Sequence, residues 1–247
     1  INFKKRCEVT LEDNFNLINN SINNINYNIN VEEDATIKHN IFQNFANSNK
    51  LYLTSNTVCE KNSSYSQNTY NFSDGFVRNF HHVKLNGEFS NASLKGCFFL
   101  KDKNICSNKT NIKHNAENCI SDQTYKGILN DHSKASYYSN TFVSENAQKT
   151  EGYQLSKGIL LTDNCSFFSK PELRIFADDV KCSHGSTIGP VDESALYYLR
   201  SRGISKNEAM KMIISSFIEE DLQNLDKNIA ERVSKNLSDY LTNLVND

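Results

Sequence analysis

Between residues 31 and 188 the chain has no long helical period, and this constrains its fold more than any other feature. Short strand-like runs recur there instead: 50–54 (KLYLT), 75–85 (GFVRNFHHVKL), 94–100 (LKGCFFL), 125–129 (YKGIL) and 158–162 (GILLT). Turn residues such as Asn86-Gly87, Asn91 and Asp163-Asn164 punctuate them. Two all-β architectures compete. A sandwich or barrel wants hairpins, and Asn86-Gly87 is a hairpin-type signal. A β-solenoid wants short strands at coil intervals of roughly 20 residues, each needing its neighbours to bury a face.

The pattern changes at residues 170–203. Leu173, Ile175 and Ala177 alternate with Glu172, Arg174 and Asp178, as in a half-buried strand. Val180, Cys182 and His184 alternate with Asp179, Lys181 and Ser183. On an extended backbone Cys182 and His184 share one side, with Cβ atoms roughly 6–7 Å apart. That suits two ligands of one metal or cluster, or two members of one polar interface. Alone, Cys-x-His is a weak motif, because a lone cysteine is usually a small buried hydrophobe. Asp178 and Asp179 are iron ligands by type, but paired acids on a tight corner more often cap turns.

Gly189-Pro190 ends the extended run, and Asp192 is an N-cap candidate for a helix closed by Gly203. Ser205 and Glu208 form a capping box ahead of Ala209, Met212, Ile213 and Phe217. A further helix carries Ile229, Val233, Leu237, Tyr240, Leu241 and Leu244 on one face. These faces are expected to pack on each other and cap the open end of the β unit.

Three blocks carry a family resemblance: ADDVKCSHG with VDESALYYLRSRGIS (177–185 and 191–205), AQKTEGYQLSKGILLTDN (147–164) and, more loosely, HNAENCISDQTYKGIL (114–129). They resemble the SufB/SufD family of SUF-system iron–sulfur cluster assembly scaffolds, on its SufD side, because SufB-like chains generally carry an acidic residue at the Cys-Ser-His-Gly position. In the loosest block a family proline position is Glu117 here.

The resemblance implies a mainly β fold, a right-handed parallel β-helix followed by a small C-terminal α-helical domain. The expected layout is an Asn-rich, partly ordered segment at 1–30, a β-helix core at 31–190 and a helical domain at 191–247. The family's N-terminal helical portion has no counterpart in the pattern of residues 1–30. A non-catalytic scaffold is implied, pairing with a SufB-like subunit and holding a SufC-like ATPase. The ATPase would dock on the apolar face around Met210, Ile213, Ile214 and Phe217. His184 and Cys182 would help ligate a transient iron–sulfur cluster shared with the SufB-like partner. An isolated chain is expected to homodimerise through the edge meant for that partner. Two other classes remain: an enzyme with a Cys182–His184 nucleophile dyad, and a metal-free interaction solenoid.

Other classes lack their signatures. There is no Cys-x-x-Cys, no P-loop sequence and no Gly-rich dinucleotide fingerprint, so no directly bound nucleotide is expected. A formal charge of −2 gives no polyanion signal, and no basic patch interleaves with aromatics as nucleic-acid binding needs, so no nucleic-acid partner is expected. No apolar run reaches membrane-spanning length. Seven scattered cysteines fit a reducing compartment better than a disulfide scaffold. Adjacent His81 and His82 should face opposite ways on a strand. His114 and His132 are bland alone, and Asp131-His132-Ser133 does not make a triad by adjacency. The chain starts at isoleucine, which reads as processed or trimmed with no transit peptide in view. The Asn-rich bias suggests an AT-rich genome and a plastid of the apicoplast type, with a bacterial cytoplasm as the alternative.

Overall fold

The computed structural model describes residues 1–17, 20–45, 49–222 and 225–245. Among these residues, fourteen strands alternate between two sheets. One sheet takes β1 (Asn2–Phe3), β3 (Ile22–Val31), β5 (Asn49–Cys59), β7 (Gly75–Leu85), β9 (Ile105–His114), β11 (Lys134–Val143) and β13 (Ser166–Ile175) in that order. The other takes β2 (Glu8–Phe15), β4 (Thr36–Gln43), β6 (Ser64–Asn71), β8 (Asn91–Leu100), β10 (Ile120–Leu129), β12 (Thr150–Leu160) and β14 (Val180–Pro190). Every pairing is parallel, so the fold is a parallel β-solenoid and the hairpin alternative falls. Gly87 has a different purpose from a hairpin turn: a Cβ there would lie 1.9 Å from the backbone nitrogen of Lys61, so the two corners can stack only if residue 87 is glycine.

The coil is longer than the expected 20 residues. Asn28 and Asn56 sit side by side 28 residues apart, and Asn79 and Asn108 are 29 apart. Two strands of about ten residues make each coil, rather than several shorter ones. The coil also does not begin at residue 31. β2 and β3 pair in register with β4 and β5, so the Asn-rich stretch is strand whose outward positions are asparagine, including Asn24, Asn26 and Asn28. Isoleucine and tyrosine at the alternate positions turn inward and supply the burial that the asparagines do not.

One corner repeats with each coil. Arg6, Asp34, Asn62, Phe89, Asn118 and Lys149 all have φ between 56° and 62°. Each N–H reaches the next coil, for example Asn62 to Glu88 O (2.9 Å), Asn118 to Gln148 O (3.0 Å) and Lys149 to Asp179 O (2.6 Å). A small or short residue follows each: Cys7, Ala35, Ser63, Ser90, Cys119 and Thr150.

The lumen is filled by inward side chains such as Ile37, Leu53, Leu94 and Leu129. Large and small residues alternate along the stack. A Cβ on Gly127 would lie 2.2 Å from the Phe98 ring, and one on Gly96 would lie 2.3 Å from Tyr125. Polar side chains in the lumen satisfy one another, as in Gln43–Asn79–Asn108.

Three helices follow: α1 (Glu193–Ser201), α2 (Lys206–Leu222) and α3 (Lys227–Val245). Asp192 caps α1 by accepting from Ser194 and Ala195 N–H. The helices do not cap the open end. α2 and α3 lie along the outer face of the second sheet, where Ile214, Ile218, Val233 and Leu237 pack on Phe42, Tyr70, Phe99 and Ile128, and α1 packs on α2. Tyr240 donates to Leu100 O, Lys126 donates to Phe217 O, and Arg232 pairs with Glu12 near the first coil. The outward residues of β4 to β10 are unusually apolar at one end, and that stripe fixes where the helices settle. No helix among the described residues is long and apolar enough to cross a membrane.

Candidate functional site

β13 and β14 form the last coil, and each pairs on one edge only, with β11 and β12 respectively. In register, Cys182 lies over Gly152, His184 over Gln154, Ser186 over Ser156 and Ile188 over Gly158. The residues beneath face the lumen and are buried, so Cys182 and His184 face inward on the rim of the open end. The shared side expected from their spacing is therefore observed. Cys182 is half-buried and His184 is exposed.

Backbone space shapes the cysteine's seat. A Cβ on Gly152 would stand 3.3 Å from Cys182 Sγ and from Thr141 Cγ2, so the thiol settles into room that glycine leaves. Val143, Ala147, Ala177 and Val180 surround it. Below His184, Gln154 is fixed by donating to Thr141 Oγ1 (2.8 Å) and Glu172 O (3.1 Å) and accepting from Ser139 Oγ (3.0 Å). Ser156 Oγ and Ser169 Oγ, buried beneath and within this coil, have no hydrogen-bond partner among the described residues.

Burial raises the Cys182 thiol above its ordinary range, outweighing a backbone contact with Gly152 that acts the other way. No hydrogen bond joins Cys182 to His184 among the described residues. An activated nucleophile needs a depressed thiol pKa and a base in reach, so the geometry argues against the dyad enzyme. Metal loading is compatible, because a bound metal displaces the thiol proton. Among the described residues no three His, Cys, Asp or Glu side chains are grouped to hold a metal. Cys182 and His184 can thus provide two donors at most. Asp178 and Asp179 sit at the corner, where Asp179 accepts from Lys149 N–H and its own N–H donates to Gln148 Oε1.

The other candidates are elsewhere. His81, His114, Cys59, Cys106 and Cys119 are buried inside the stack. On α2, Ile214 is wholly buried, and Met210 and Phe217 pack toward the same cluster against the second sheet. The face expected to dock a partner is therefore largely spent on the chain's own sheet. Ile213 keeps partial exposure, and Met212 (49% exposed), Tyr197 (77%) and Tyr198 (57%) are the apolar groups that the helical region presents outward.

The chain's two prolines both fall in the last coil, Pro171 within β13 and Pro190 at the end of β14. Proline lacks the ladder donor and is tolerated on edge strands. It blunts β13, while β14 keeps a proline-free edge from Val180 to Gly189.

A family model described as SUF system FeS cluster assembly, SufBD core domain, matches residues 1–217. The chain is 37% identical over 138 residues to iron–sulfur cluster assembly protein SufD of Escherichia coli K12, covering 56% of this chain and 33% of the relative. It is 28% identical over 215 residues to SufD of Plasmodium falciparum, covering 82% of this chain and 14% of the relative. It is 42% identical over 84 residues to the chloroplastic protein ABCI7 of Arabidopsis thaliana, covering 34% and 18%. The chain thus spans a third or less of these relatives' length.

Proposed function

This chain belongs to the SufBD core-domain family of the SUF iron–sulfur cluster assembly system, and from that premise we propose that it is a non-catalytic scaffold subunit. It pairs with a SufB-like subunit through its last coil and holds a SufC-like ATPase through its helical region. The observation that carries this reading is the uncovered last coil, with an unpaired β14 edge and two soft-metal donors on its rim. An open edge is a template for another strand, and Cys182 with His184 supplies only part of a coordination shell. A partner that adds a strand would bring the remaining ligands within reach. The nascent cluster is the cargo of this site, held between the chains and passed on.

Imidazole and thiolate are sound iron ligands. His184, exposed on the rim, is the primary donor. Cys182 joins after losing its proton, a step that its burial opposes. ATP hydrolysis belongs to the partner, whose closure would strain the paired scaffolds and open the interface. The exposed Tyr197, Tyr198 and Met212, with Ile213, are better placed to meet the ATPase than the buried Ile214. Without partners, the same β14 edge favours a homodimer. Relatives from a chloroplast and from Plasmodium support a plastid address, and a bacterial cytoplasm fits the E. coli relative.

The test is anaerobic co-purification of the tagged chain with SufB-like and SufC-like subunits from the same source. Both partners are expected in near-stoichiometric yield. Recovery of neither, from a folded and monomeric chain, would overturn the reading.

A further inference from the structure

The outer face of the second sheet is covered by helices, but that of the first sheet is open among the described residues. Its outward positions collect Lys50, Arg78, Lys84, Lys109, Lys113 and Lys134 from β5, β7, β9 and β11. β13 adds Lys170 and Arg174. Glu172 is the carboxylate at these positions, and Arg174 already holds it at 2.7 Å. The chain as a whole is at −2, so its remaining surface is acidic and its charge is polarised to one face.

The sequence conceals this patch. Each strand supplies only one or two of these cations, four or six positions apart where there are two, and the fold stacks them across strands. The expectation that no basic patch interleaves with aromatics is thereby corrected.

Aromatic side chains stand among the cations. Lys109 lies over the Phe80 ring at 5.2 Å and Lys113 over Phe142 at 5.0 Å. Tyr52 packs on Phe76, Tyr138 on Phe168 and Phe142 on Phe176. A groove of about 700 Å³ runs between Tyr52, Arg78, Phe80, Lys109 and Tyr138. His82 registers the local field: burial, then the charges of Lys84 and Lys113, push its imidazole below the usual range.

We infer that this face is a docking surface for an acidic folded protein. Six long strands at about 4.8 Å spacing and ten residues' rise give a face of roughly 25 by 30 Å. That matches the approximately 800 Å² per partner of a standard interface. Aromatic groups and arginine at its centre are the composition such interfaces favour. Single-stranded nucleic acid fits less well, because stacking needs free ring faces and those of Phe80 and Phe142 are occupied by ammonium groups. The inference does not depend on the scaffold role of the last coil.

The test uses the full chain, with poly-L-glutamate as the acidic polypeptide probe and anisotropy as the readout. Binding should weaken with salt. It should fall about tenfold or more in the triple variant Arg78→Glu/Lys109→Glu/Lys113→Glu, as expected where charge steers and holds the complex. Lys38→Glu/Lys206→Glu/Lys235→Glu, with the same net change elsewhere, should bind as the parent does. If the reversal variant fails to fold, the matching glutamine triple should show a smaller loss in the same direction. Equal loss in both triples, or no binding at low salt, would overturn the inference. So would tighter binding of oligothymidylate or phosphatidylglycerol vesicles that is lost on Tyr138→Ala/Phe168→Ala. Self-association that the face triple abolishes would assign the face to a second copy instead and would equally overturn it.

Discussion

In the complex with SufB-like and SufC-like subunits, His184→Ala is expected to leave partner recovery unchanged and to lower bound iron and sulfide by about tenfold or more. The side chain is exposed and makes no hydrogen bond among the described residues, so its loss removes little packing. What it removes is the more accessible of the two donors that this chain brings, with no third among the described residues. Cys182→Ala should have a smaller effect, since burial holds that thiol protonated, and it should also cost little stability at a half-buried rim position. Iron and acid-labile sulfide assays on the purified complex read both. Full cluster content in His184→Ala, with intact assembly, would instead favour a metal-free interaction solenoid.

The largest stability effect should come from acid. His81 is fully buried, bonded to Ser55 Oγ through Nδ1 (2.8 Å) with Nε2 unpartnered, and burial first, then His39, lowers its pKa to about 3. His114, bonded to Ser121 Oγ at 2.8 Å, is lowered by burial to about 4. Both are neutral in the folded chain, whereas in the unfolded chain they take up protons below their ordinary value of 6.5. Their contribution is complete above that value and is lost as pH falls toward 4 and then 3. Asp13, lowered chiefly by its bond to His39, acts in the same direction at the acid end of this window. At roughly 1.4 kcal/mol per pH unit for each group, two histidines lose on the order of 5 kcal/mol by about pH 4.5. That is comparable to the whole stability of many domains. Urea midpoints at pH 7.5, 6 and 4.5 should fall steeply, and less so in His81→Gln/His114→Gln. A flat profile would show that these imidazoles can be protonated in place.

Much of this was legible in the residues. The alternation of Val180, Cys182 and His184 placed the two donors on one side, and the register over Gly152 and Gln154 agrees. The SufD-like blocks indicated the solenoid, and the family match extends from the specific region back to residue 1. The corner repeat is also present in the sequence. A left-handed residue followed by a small one recurs at Cys7, Ala35, Ser63, Ser90, Cys119 and Thr150, which sets the coil length directly. It was hidden because Arg, Phe and Lys occupy positions where Asn or Gly would signal positive φ. The asparagines of β3 concealed a strand because its outward face meets only water. The helices' seat was not legible either: Phe42, Tyr70 and Phe99 look like ordinary core residues until the register turns them outward. The basic face was invisible for the same reason, since it exists only across strands.

Cys182 reports most directly on whether the last coil is the meeting surface for a SufB-like chain. Its alkylation rate should be measured by mass spectrometry in the isolated chain at a concentration low enough to keep it monomeric, and again in the assembled complex without cluster. Strong protection of Cys182 on assembly is expected, while Cys7, also partly exposed but at the opposite end, reacts at an unchanged rate. An unchanged Cys182 rate in a stoichiometric complex would place the partner elsewhere and rule out the last coil as the meeting surface.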